Sequence, residues 1–75
     1  MQTLDVRPMP PRVRHETIFE RIDRLTSGET LRLVNDHDPK PLYYQFKAEL
    51  GQPFEWDYLE SGPEVWKVRI ARPAN

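Results

Sequence analysis

The sequence predicts an α+β fold: a two-layer sandwich with two helices on one face of a four-stranded mixed sheet. Three observations predict it. Two stretches space their apolar residues at helical intervals, and four short ones read as strands. Pro, Gly, Asn and Asp clusters separate them. The resulting order, β-α-β-α-β-β, makes the first two strands parallel across a helical crossover and the last two an antiparallel hairpin.

The elements follow in order. Thr3–Val6 reads as the first strand, with Leu4 and Val6 on one face. Pro8, Pro10 and Pro11 stiffen the next loop and exclude helix from it. A helix is expected from Arg14 to Thr26, because Ile18, Phe19, Ile22 and Leu25 share a stripe and His15 lies one turn earlier on that side. Ser27-Gly28 stops it. Thr30–Asn35 is the second strand. Asp38 is the natural N-cap of the second helix and Pro39 its first residue. Leu42, Tyr43, Phe46 and Leu50 form that helix's apolar stripe, and Gly51 ends it. Phe54–Tyr58 alternates as a strand, residues 60–63 turn, and Val65–Ala71 closes the sheet. One sheet face stays uncovered, and Arg32, Glu55, Asp57, Lys67 and Arg69 are its expected polar residues.

The 75 residues fit a single domain, 1–75. Folded area scales to ~4,900 Å² for this mass. Apolar burial then contributes about 110–120 kcal/mol, and ordering the chain costs about as much. With no cysteine to form a staple, the balance leans on two Trp, three Tyr and three Phe. The formal charge is −1, which gives no global reason to bind nucleic acid. The absence of cysteine excludes thiolate metal sites and cysteine nucleophiles. No run of about 18 apolar residues and no leader pattern is seen, so a cytoplasmic protein without membrane contact is expected.

Both notable polar clusters fall on the strand-to-helix loops. The parallel topology brings these loops to one sheet edge, where ligands of open α/β sheets bind. The first carries Arg7, Arg12, Arg14 and His15; the second carries Asn35, Asp36, His37 and Asp38. Two imidazoles with Asp36 and Asp38 are a candidate ligand set for a divalent transition metal (Zn, Ni, Fe or Cu). The competing reading makes Asp36 a turn residue, Asp38 a helix cap and both histidines structural. Arg7 and Arg14 are candidate anion contacts, set against solvated or locally paired arginines. Trp56, Tyr58 and Trp66 read as hairpin packing rather than base stacking. Ser27 and Ser61 have no His or acid at a catalytic spacing, and the isolated glycines make no phosphate loop.

Residues 4–11 (Leu-Asp-Val-Arg-Pro-Met-Pro-Pro), Arg14-His15 with Ile18-Phe19, the block 35–45 and the block 62–70 together resemble a bacterial family, domain of unknown function 2249. The resemblance covers nearly the whole chain. That family is similar in fold to the TusA/SirA sulfur carriers, so the resemblance implies a TusA-like sandwich. Those carriers hold a persulfide on a Cys-Pro-x-Pro motif. The matching stretch here is Met9-Pro10-Pro11-Arg12, so that chemistry has no thiol. The resemblance further implies an accessory module, associated with hemerythrin-like or cupin domains in nitrogen-oxide and metal settings.

Two functions compete on these grounds. One is a non-catalytic module binding a metal ion or small anion between His15 and His37. The other is a protein-interaction or homodimerising module working through the open sheet face.

Overall fold

The computed structural model describes residues 2–74. Its elements are β1 (Gln2–Asp5), α1 (Pro11–Asp23), β2 (Thr30–Asn35), α2 (Lys40–Glu49), β3 (Glu55–Ser61) and β4 (Trp66–Ala71). The sheet order is β1-β2-β4-β3. β1 runs parallel to β2, and β4 runs antiparallel to both its neighbours. The element order and the mixed sheet are those the sequence predicts. The accessible surface is 4758 Å², close to the scaling expectation.

β2 and β4 take the central places because their alternation is the most apolar. Leu31, Leu33, Val68 and Ile70 are fully buried, and in register they pair Leu31 with Ile70 and Leu33 with Val68. Ile18 and Ile22 from α1 and Phe46 from α2 complete the core beside them. The other sheet face carries the expected polar residues, with Val34 and Ala71 buried among them. Arg69 lies between Arg32 on β2 and Asp57 on β3, and its Nη1 donates to Asp57 at 2.8 Å and Glu55 at 3.2 Å. Lys67 and Glu60 pair more loosely, at 3.5 Å.

β1 and β4 shift by one residue from expectation, α1 ends at Asp23 rather than Thr26, and three further boundaries move for a physical reason. α1 starts at Pro11, inside the stretch the prolines were expected to keep open. A proline at the first helical position loses only an N–H that would have no helical partner. The Pro10 carbonyl accepts from Val13 and Arg14 and closes the first turn. α2 starts at Lys40, with Pro39 at the cap position, so Asp38 lies one residue too early to be the N-cap. It still acts like a cap, since its Oδ1 accepts the Lys40 N–H at 3.0 Å. β3 runs on to Ser61, because a register shift between Tyr58 and Glu60 lets Leu59 be absorbed as an extra residue. The chain then turns through Gly62 at φ +67°, where a Cβ would lie 2.7 Å from the Trp66 ring. Among the described residues no helix is long and apolar enough to cross a membrane.

Candidate functional site

Arg14 organises the edge where the two loops meet. It stands four residues before Ile18 and eight before Ile22, so the helix turns it inward on the buried stripe. Its side chain is 11% exposed. A buried guanidinium needs acceptors for all its N–H groups, and here it finds them. Nε donates to the Met9 carbonyl at 2.8 Å, and Nη2 donates to the Arg7 carbonyl at 2.8 Å. Nη1 and Nη2 grip the Asp36 carboxylate as a fork, at 2.8 and 3.1 Å. Nη1 also reaches Asn35 Oδ1 at 3.1 Å. One side chain therefore ties the loop after β1 to the loop after β2.

Asn35 and Asp36 are shaped to receive it. Asn35 ends β2 on the covered face and is buried, and its Oδ1 also accepts the Asp36 N–H at 2.9 Å. The Arg14 fork and, after it, the His37 contact hold the Asp36 carboxyl well below the usual carboxylate range. His37 Nδ1 lies 2.8 Å from Asp36 Oδ1. An ionised carboxylate only accepts, so Nδ1 is the donor and a neutral His37 keeps its lone pair on Nε2. The His37 side chain is 66% exposed, so that nitrogen is presented at the surface.

His15 and His37 line one cleft of about 150 Å³, with Asp38 among its polar residues and Pro11, Pro39, Pro41 and Leu42 among its apolar ones. His15 packs its ring on Phe46, 5.3 Å between centroids, which fits the reading of a histidine at the top of the core.

The four-residue metal set does not assemble. Among the described residues no group of three or more His, Asp or Glu side chains is placed to hold a metal ion. The reason lies in hydrogen bonding. Asp36 serves Arg14 and His37, while Asp38 Oδ1 accepts from the Lys40 N–H and from the Tyr58 hydroxyl at 2.7 Å. The two arginines considered as anion contacts are also engaged. All of Arg14's donors point to protein oxygens. Arg7 folds back on Asp5, with Nε at 2.9 Å from Oδ1 and Nη2 at 2.6 Å from Oδ2, and lowers the Asp5 pKa.

The family model described as an uncharacterized conserved protein (DUF2249) matches residues 3–72. The chain belongs to this family. No curated protein and no solved structure matches it. Both loops and the whole Arg14–Asp36–His37 chain lie within the stretch matched to DUF2249.

The sequence signal for Arg14 was available in its spacing from Ile18 and Ile22, but a polar residue on an apolar stripe reads first as solvent-facing. The Tyr58–Asp38 bond had no such signal, since it joins strand and loop 20 residues apart.

Proposed function

We propose that this DUF2249 chain is a non-catalytic binding module. Its cleft offers the His37 and His15 imidazoles to a divalent transition metal (Zn, Ni, Fe or Cu) that arrives with its remaining ligands already in place. The observation that carries this reading is the Arg14–Asp36–His37 chain. A carboxylate behind Nδ1, itself fixed by a buried arginine, is the arrangement that orients a metal-ligating histidine and makes its other nitrogen a better donor. Two imidazoles without a third ligand suit a metal with open positions rather than a bare ion. A free anion is the weaker ligand choice, because Asp38 lines the cleft and both nearby guanidinium groups are engaged.

The test titrates the chain with copper(II) iminodiacetate, whose metal has vacant positions, near pH 7.5. One equivalent should bind, at least about tenfold more tightly than to His15→Ala or His37→Ala alone, because two imidazoles chelate and one does not. Binding should weaken in acid, because protons compete with the metal for imidazole nitrogen. Either single variant binding as tightly as the parent chain would overturn the reading.

One observation favours the second reading, a protein-interaction module. β3 is an edge strand and is exposed along nearly its whole length. Its acids Glu55, Asp57 and Glu60 are paired with Arg69 and Lys67 of β4, so the backbone edge is what it offers a partner strand. Sedimentation separates the two occupants: a strict monomer at high concentration favours a different protein partner, and a concentration-dependent dimer favours homodimerisation.

A further inference from the structure

A second cleft lies on the other side of the start of α2, between that helix and β3. It measures about 220 Å³ and is lined by Lys40, Tyr43, Tyr44, Phe54, Trp56 and Tyr58. Tyr43 is its hub, meeting Tyr44 at 5.2 Å, Trp56 at 5.4 Å and Phe54 at 5.7 Å, all edge to face. These are preferred aromatic geometries, so the walls are held by packing. Tyr44 and Tyr58 nevertheless remain 59% and 40% exposed, and both line the cleft.

The polar groups around this cleft favour a negative ligand. Lys40 is the one charged residue in its wall. Its ammonium makes no ion pair or hydrogen bond with the other described residues, and neither do the Tyr43 and Tyr44 hydroxyls. No carboxylate lines this cleft, and the Asp38 carboxylate outside it accepts from the Tyr58 hydroxyl. Burial and that contact together raise the Tyr58 pKa, so the phenol stays neutral. A cage for a cation would need a free carboxylate or an undefended ring, whereas Lys40 opposes a cation here.

Size narrows the ligand further. An apolar cavity of about 150 Å³ accommodates benzene. A cleft of about 220 Å³ therefore suits one ring with a short acidic arm, and not a dinucleotide. We propose that this cleft binds a small aromatic carboxylate, with its ring among Tyr43, Tyr44 and Trp56 and its carboxylate on Lys40. The site shares no lining residue with the histidine cleft, and the hydrogen bond from the Tyr58 hydroxyl to Asp38 links the two.

The probe is 4-hydroxyphenylacetate, compared with its neutral amide, with binding followed through the Trp56 indole N–H by NMR. The acid should give a saturable shift with Kd on the order of 0.1–1 mM. It should bind about two- to fivefold more tightly than the amide, the upper part of the range for one exposed ion pair. Lys40→Gln should erase that preference and leave amide binding unchanged, while Tyr44→Ala should weaken both ligands. Both variants change exposed side chains and keep the Lys40 backbone N–H bond to Asp38, so the fold survives them. No saturable shift at about 10 mM probe would overturn the proposal. So would equal affinity for acid and amide, or a preference that persists in Lys40→Gln.

Discussion

The two clefts flanking the start of α2 are built by opposite means. On the histidine side, position is set by hydrogen bonds: Arg14 is buried and spends every donor on Met9, Arg7, Asn35 and Asp36. On the aromatic side, position is set by ring packing around Tyr43, and the Lys40 ammonium and the Tyr43 and Tyr44 hydroxyls pair with no other described residue. The difference teaches where binding capacity resides. A saturated network such as that of Arg14 can orient a neighbour but has nothing left to offer a ligand. Capacity is left at its end, on His37 Nε2, and across the helix at Lys40.

The largest effect should come from the core both clefts rest on. Phe46 is fully buried and contacts the rings of His15 and Phe19. Phe46→Ala should cost about 3–5 kcal/mol in urea unfolding and loosen His15 as well. Arg14→Met comes next. It leaves buried Asn35 and two loop carbonyls short of a donor, so a loss of about 3 kcal/mol is expected. A loss under about 0.5 kcal/mol would mean that the loops do not depend on the clamp.

Acid should act mainly on the hydrogen-bonded side. The Asp36 pKa in the folded chain is lowered from 3.8. Its unfolded form therefore binds a proton first as the pH falls. The stability from this pair is present above about pH 4 and is lost as the pH drops towards the folded value. Asp36→Asn should flatten that slope in acid unfolding without abolishing it, because Asp5 is lowered in the same sense by Arg7. The smallest effect should be Tyr44→Ala, within about 0.5 kcal/mol on stability. A large loss there would show that the aromatic rim carries the fold rather than a binding surface.

The fold was legible because periodicity survives without tertiary knowledge. Leu31/Leu33 and Val68/Ile70 announce the two central strands. The helix starts were less legible, since prolines that look like breakers are tolerated in the first turn, as Pro11 shows. The site was legible only in its location. Sequence placed Asp36 beside His37 and brought their loop towards Arg14 and His15. It left open which groups would satisfy one another, because that depends on side chains 21 and 22 residues apart. The expected ligand set failed for the same reason: carboxylates that look available in a sequence are spent on Arg14, Tyr58 and a backbone N–H.

The Arg14–Asp36–His37 chain is tested most directly by the tautomer of His37, read from long-range proton–nitrogen NMR of the two imidazoles above pH 7.5. His37 in the parent chain should carry its proton on Nδ1 and leave Nε2 bare, with that preference lost in Asp36→Asn. A His37 protonated on Nε2 in the parent chain, with the same spectrum in Asp36→Asn, would contradict it.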